Sequence, residues 1–235
     1  MRAFEQALEI DPGSVDAWVG IATVLGERLA VGWSKSREQD MARCDRLLRE
    51  ALERDRSNPR ALAELGRLRR IQNRLIEAQI ELEKAIAIDR NNARAINQLG
   101  ITLLFQGRPK AAFPHLEKCF QLNTERYQNV FYNYIWLGYR HLLMSNADKA
   151  VNLLRKARAA NPQLWGTHSL LAAALGLRGD IDEVQSALAE AVNLNPEINS
   201  VARLRASYSA MSNPQFVVIW DKTAGVGLRR AGFPD

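Results

Sequence analysis

Six nine-residue segments repeat one order of apolar and polar positions: 4–12, 48–56, 82–90, 116–124, 154–162 and 188–196. Each opens on a large apolar residue, carries a small one at its fourth place and an Asp or Asn at its eighth. The small residues are Ala7, Ala51, Ala85, Cys119, Ala157 and Ala191, spaced by 44, 34, 34, 38 and 34 positions. Seven residues before five of them stand Cys44, Ala78, Ala112, Ala150 and Val184, and further upstream come the pairs Ile21-Ala22, Leu65-Gly66, Leu99-Gly100, Leu137-Gly138 and Leu171-Ala172. Apolar residues three and four apart predict amphipathic helices, two per period. The small residues sit where two helices of a hairpin cross closely, and large neighbours such as Leu82 and Ile86 fill the flanking grooves. One hairpin cannot bury its apolar face alone, so the units must stack. The Asp/Asn-Pro or Asp-Arg pair is expected to end the second helix, since Pro cannot continue one.

Composition narrows the class. The 235 residues hold 14 Gly and 8 Pro, too few turn formers for an all-β fold, and 47% of them are apolar. No apolar run approaches the roughly 18–20 residues that span a bilayer, so membrane insertion is not expected. The first residues carry Glu5 and Glu9 and no signal-peptide core, and Cys44 and Cys119 fit neither a metal spacing nor a redox motif. A reducing cytoplasm is the simplest setting. The net charge of +6 is unevenly placed: residues 1–90 hold 16 Lys/Arg against 16 Asp/Glu, and residues 91–235 hold 16 against 10.

A 34-residue period of two helices resembles the tetratricopeptide repeat family at its main signature positions, over essentially the whole chain. The resemblance implies an all-α fold, a right-handed α-solenoid of stacked antiparallel hairpins. Residues 1–14 would be a half repeat, so the array would begin mid-repeat, either trimmed or as the tail of a longer protein. Repeats would follow at 15–58 (with a 10-residue insertion around the Gly32–Ser36 loop), 59–92, 93–130, 131–164 and 165–198. A longer turn is expected at Glu125–Val130 and a bend at Pro114. Residues 199–235 would cap the stack, with one helix over 199–211 and a last helix from Phe216 to Arg230, opened by Ser212-Asn213-Pro214. Cys44 and Cys119 then fill small-residue slots as buried packing.

Reaction chemistry is not visible in this pattern. His115, His141 and His168 lie in different units, and no cluster has metal-ligand spacing. Gly225-Val226-Gly227 is too short for a phosphate loop, and no nucleophile elbow is present. No enzyme, cofactor or metal is expected. The family's geometry instead places the second, fifth, ninth and twelfth residues of each repeat on a concave face. This yields Arg60, Ala63, Arg67 and Arg70 in one repeat and Arg94, Asn97, Ile101 and Leu104 in the next. The following two give Tyr132, Ile135, Tyr139 and Leu142, then Gly166, Ser169, Ala173 and Gly176. Arg60, Arg67, Arg70, Arg94 and Asn97 would hold carboxylates, and Tyr132, Ile135 and Tyr139 would offer apolar anchors. The partner implied is a protein or peptide, acidic at one end and apolar at the other. Changing Arg67 and Arg70 to Glu would abolish its capture with little loss of stability. The competing reading is an arginine run in solvent and an apolar strip covered by the chain's own last helix.

Gly32-Trp33-Ser34, residues 107–118, residues 156–162 and the ending 227–235 further resemble the C-terminal repeat regions attached to class III adenylate/guanylate cyclases, and to winged-helix regulators, in alphaproteobacteria. That resemblance implies a non-catalytic regulatory or assembly module of a signalling protein. The alternative is a nucleic-acid-binding helical repeat, for which nucleic acid is the less fitting partner because the groove lacks a repeated pair of base-reading residues. Self-association through the apolar surface of the half repeat is also expected.

Overall fold

The computed structural model describes residues 1–30, 32–123, 130–207 and 213–235. Among them every regular element is a helix. The order is α1 (Arg2–Ile10), α2 (Val15–Ala30), α3 (Arg37–Arg54), α4 (Pro59–Ile71), α5 (Leu75–Ile88), α6 (Ala93–Phe105) and α7 (Pro109–Asn123). It continues with α8 (Val130–Leu143), α9 (Ala147–Ala160), α10 (Trp165–Arg178), α11 (Ile181–Leu194), a 3₁₀ turn (Pro196–Ile198), α12 (Val201–Ala206), α13 (Pro214–Lys222) and α14 (Ala224–Arg230). Two compact units result, Met1–Thr102 and Leu103–Asp235, with the division inside α6. The expected turn at 125–130 and the start at Ser212 fall largely or wholly outside the described residues.

The repeated Asp/Asn makes the joint between hairpins. Asp11, Asp55, Asp89, Asn161 and Asn195 each donate a backbone N–H to the carbonyl of the small residue four positions back. Each side-chain Oδ1 then accepts the N–H two residues on, from Gly13, Ser57, Asn91, Gln163 and Glu197, at 2.9–3.2 Å. This is an Asx turn in five copies, and it explains why Asp or Asn is required at that place. Proline is incidental to it, because Asp55-Arg56 and Asp89-Arg90 turn the same way. Asn58 adds an N-cap for α4, accepting from Arg60 and Ala61 N–H groups ahead of Pro59.

Within each hairpin the small residues let the helices approach. A Cβ on Gly66 of α4 would stand 2.5 Å from Leu82 Cγ of α5. Ala51, Ala85, Ala157 and Ala191 are completely buried. Cys44 and Cys119 are buried too, and the Cys44 thiol donates to the Ala22 carbonyl at 3.5 Å, with burial pushing its pKa up to about 12. Ala85→Leu is expected to cost about 1–3 kcal/mol by overpacking, and Cys119→Ala to be nearly neutral. Equal urea midpoints for the two variants would contradict this packing register.

The insertion in the first hairpin is absorbed mostly by longer helices. α2 has 16 residues and α3 has 18, against 13 and 14 in α4 and α5. The short loop between them carries Trp33, 75% exposed. In unit 1, α2, α3 and α4 share a core of Ile21, Leu25, Leu29, Cys44, Leu48, Leu65 and Leu68. α7 runs continuously through Pro114.

In unit 2, α8 packs on α9 and α10 on α11. His168 of α10 is held structurally, its Nε2 bonded to the Pro162 carbonyl at 2.8 Å. His141, near the end of α8, lies edge-on to Phe113. Burial, reinforced by the charges of Arg140 and Lys149, pushes its pKa from 6.5 down to about 4. Between those values the unfolded chain binds a proton that the folded chain refuses. The stability tied to His141 is therefore whole above pH 6.5 and lost as pH falls toward 4. His141→Gln should lose less stability than the wild type between pH 7 and pH 5, read as urea midpoints; equal losses would refute the assignment.

The last helix departs from expectation. The stretch from Phe216 to Arg230 is not one helix but two, broken at Thr223 (φ −124°, ψ −88°). The buried Thr223 hydroxyl donates to the Ile219 carbonyl, taking up a bond of the last turn of α13. The helix expected over 199–211 is Val201–Ala206 in the described part. The C-terminal helices also do more than close an end of the stack, because α14 packs along α10.

Candidate protein-binding face

The arginines of unit 1 arise on α4 and α6, and Asp16 and Glu27 face them from α2. Only the ends of this arrangement reach solvent. Arg60, exposed, pairs with Asp16 at 2.9 Å. Arg94, its side chain 39% exposed, bridges Glu64 at 2.6 Å and Glu27 at 3.0 Å. Arg67 is only 4% exposed. It pairs with Glu64 one turn back on its own helix, donates to the Thr23 carbonyl at 2.6 Å and lies 4.0 Å from Glu27. Gly26 makes room for it, since a Cβ there would stand 2.5 Å from Arg67 Nη2. Glu64 is itself buried, so two arginines neutralise one carboxylate in a place with little water.

Arg70 is buried and donates through Nε and Nη2 to Gln98 Oε1 of α6, at 3.3 and 3.0 Å. Burial, with the Arg67 charge beside it, pushes its pKa down to about 9. Asn97 is half-buried, and its Oδ1 is sealed from solvent with no hydrogen-bond partner among the described residues.

The structure therefore divides the five polar residues expected in the groove. Arg60, Arg94 and Asn97 reach or border the surface. Arg67 and Arg70 do not, and they hold helices together. The expectation that both could be changed to Glu at little structural expense is corrected by their burial. The residues missed were their acidic partners Asp16, Glu27 and Glu64. Glu64 had a signal, lying three positions before Arg67 on one helix, the spacing of an intrahelical ion pair.

Tyr132, Ile135 and Tyr139 belong to unit 2. Tyr132 is half-buried with its ring 4.2 Å from that of Phe131. Ile135 and Tyr139 are buried. Tyr139 meets Phe216 of α13 edge-on at 6.3 Å, and Phe216 also contacts Phe105 at 5.5 Å. On α10, Ala173 and Gly176 meet α14 backbone to backbone: a Cβ on Gly227 would stand 1.9 Å from the Ala173 carbonyl oxygen, and one on Gly176 2.0 Å from that of Gly227. The strip is thus covered by the chain's own last helices at Tyr139, Ala173 and Gly176, as the competing reading has it there, while a Cβ on Gly166 would meet nothing within 4 Å. Which residues of that segment make the contact, Phe216 and Gly227 among them, had no signal in the sequence.

Comparison with known proteins agrees with this architecture. Residues 59–92 and 93–126 match the family model of the tetratricopeptide repeat. No curated protein gives a significant sequence match. Among solved structures the chain is similar to YrrB, a TPR protein with an unusual peptide-binding site. The identity is 20% over 87% of this chain and 97% of that one, with a TM-score of 0.53. It is similar to Pseudomonas aeruginosa PilF, at 20% identity over 92% and 90% and a TM-score of 0.64. It also resembles part of the APC/C hetero-tetramer Cut9–Hcn1, at 16% identity over 89% of this chain but 39% of that one, with a TM-score of 0.73. These likenesses establish an all-α fold of stacked helical hairpins. Among the described residues no helix is long and apolar enough to cross a membrane.

Proposed function

We propose, with tetratricopeptide repeats at 59–92 and 93–126 as the premise, that the chain is a non-catalytic scaffold that binds a peptide or partner protein on the first helices of its hairpins. The observation that carries this reading is the arrangement on α2, α4 and α6. Asp16, Glu27, Arg60 and Arg94 are paired yet reach solvent. Beside them lies the half-buried Asn97. Exposed pairs of this kind contribute little stability, so a partner's acidic and amide groups can replace them at little loss. An acidic segment would take Arg60 and Arg94 in place of Asp16 and Glu27. Arg67 and Arg70 keep the face rigid from beneath.

A photo-reactive benzoylphenylalanine at position 97 tests this face in cells that express the protein natively. Discrete protein adducts are expected at 97, absent with the same group at Glu83 on the far side of α5 and weakened in Arg60→Glu, whose pair with Asp16 is exposed on both sides. Equal adducts at 97 and 83 would overturn the assignment. RNA retention on a filter that falls with salt would favour a nucleic-acid partner instead. The resemblance to cyclase-attached repeat regions supports a regulatory or assembly role in a bacterial signalling protein such as an adenylate cyclase. A cyclase or winged-helix domain encoded in the same native gene tests that context.

A further inference from the structure

We infer that α13 and α14 act as an internal ligand, which occupies the apolar face of α8 and α10 and opens as a unit to admit an outside helix of the same kind. The inference rests on the scaffold reading for the outside partner, but the device itself does not.

Three observations lead to it. First, the covered face is the one whose equivalents on α4 and α6 bear the unit 1 arginines: Tyr139, Ala173 and Gly176 hold the ninth, ninth and twelfth places of their repeats. Second, the segment on it has the form of a ligand. Phe216 and Trp220 stand one helical turn apart and are fully buried, while Val218 on the other side of α13 is half exposed. Phe216 enters between Phe105 and Tyr139. Next comes a small-residue face, Ala224, Gly227 and Ala231, that lets α14 touch the backbone of α10. Third, the hairpins beneath do not need the segment for closure. α8–α9 is closed by Ala150, Leu154 and Ala157, and α10–α11 by Ala187, Leu188 and Ala191, all buried between their own helices. Among the described residues, polar ties across the dock lie at its margin: Gln185 Nε2 donates to the Ala231 carbonyl at 2.9 Å, Val201 N–H to that of Pro234 at 2.6 Å, and Arg205 pairs with Asp221 at 3.4 Å.

The partner is accordingly an amphipathic helix with two aromatic residues four apart, followed by a turn of Gly or Ala. Such a partner must outcompete a tethered segment whose effective concentration is of millimolar order. Its apparent affinity falls by the fraction of molecules that are open.

Two measurements on the full chain decide the matter. Hydrogen exchange of the wild type should show residues 214–231 exchanging at least tenfold faster than the cores of α8–α11, through an opening that leaves those helices protected. Exchange of both sets together, only on global unfolding, would overturn the inference. Second, a fluorescein-labelled synthetic peptide of residues 213–235 should bind Gly227→Leu at least tenfold more tightly than the wild type. Equal binding by a variant with wild-type helical circular dichroism would overturn it. If that variant does not fold, hydrogen exchange of the wild type decides alone. Neither readout involves an outside protein, so this device can fail while crosslinking at position 97 succeeds, and the reverse.

Discussion

Arg67→Glu is expected to destabilise unit 1 by about 3–5 kcal/mol, the range for breaking a buried ion pair. The substitution removes the cation that faces Glu64 and the Thr23 carbonyl, and it sets a second carboxylate one turn from a buried first. Arg94 alone would then face three acids, Glu64, Glu27 and the new carboxylate. Against a folding free energy of about 5–15 kcal/mol for a whole protein, that is a large share. The same change at Arg60 has a different outcome. Its pair with Asp16 is exposed on both sides, and Arg60→Glu should cost less than about 1 kcal/mol. Urea unfolding followed by circular dichroism checks both. A small shift for Arg67→Glu would mean that its guanidinium is solvated after all and available to a partner.

Phe216→Ala is the second large effect. The side chain is fully buried among Phe105 and Tyr139, and loss of a buried Phe costs about 3–5 kcal/mol. The loss should be local. α13 and α14 detach, and trypsin gains Lys222, Arg229 and Arg230 while the hairpins of unit 2 stay intact. Val218→Ala, half exposed on the same helix, should leave the digestion pattern unchanged. Limited proteolysis read by mass spectrometry separates the two. Simultaneous digestion of the whole of unit 2 in Phe216→Ala would show that the last helices are inseparable from its core.

The placement of helices was legible because it depends on local periodicity. A small residue recurring at 34 positions, or at 34 plus an insertion, marks each crossing, and Asp or Asn four residues later marks each joint. The joint's mechanism was half legible: Asp/Asn-Pro and Asp-Arg both stand out as turns, but the reason read for them, that Pro cannot continue a helix, does not apply at Asp55 and Asp89, where the side chain makes the turn. The candidate site was harder to read for a different reason. Counting repeat positions says which side of a helix a residue occupies, not whether that side is open. Arg67 and Arg70 sit on the counted face and are nonetheless enclosed, by Glu64 and Thr23 in one case and Gln98 in the other. The docking of α14 on α10 is a contact between residues some 50 positions apart, which no local pattern encodes. The break at Thr223 left one trace, the two glycines of α14, each unfavourable inside a long helix.

The five Asx joints have an evolutionary corollary. Each is closed by a side chain bonded to its own backbone two residues on, so it asks nothing of the neighbouring hairpin. A gene that duplicates or deletes a 34-codon block between two such aspartates leaves every splice point chemically whole. Length is thus the easiest property of this chain to change, and homologues should differ by entire hairpins more readily than by fragments of one.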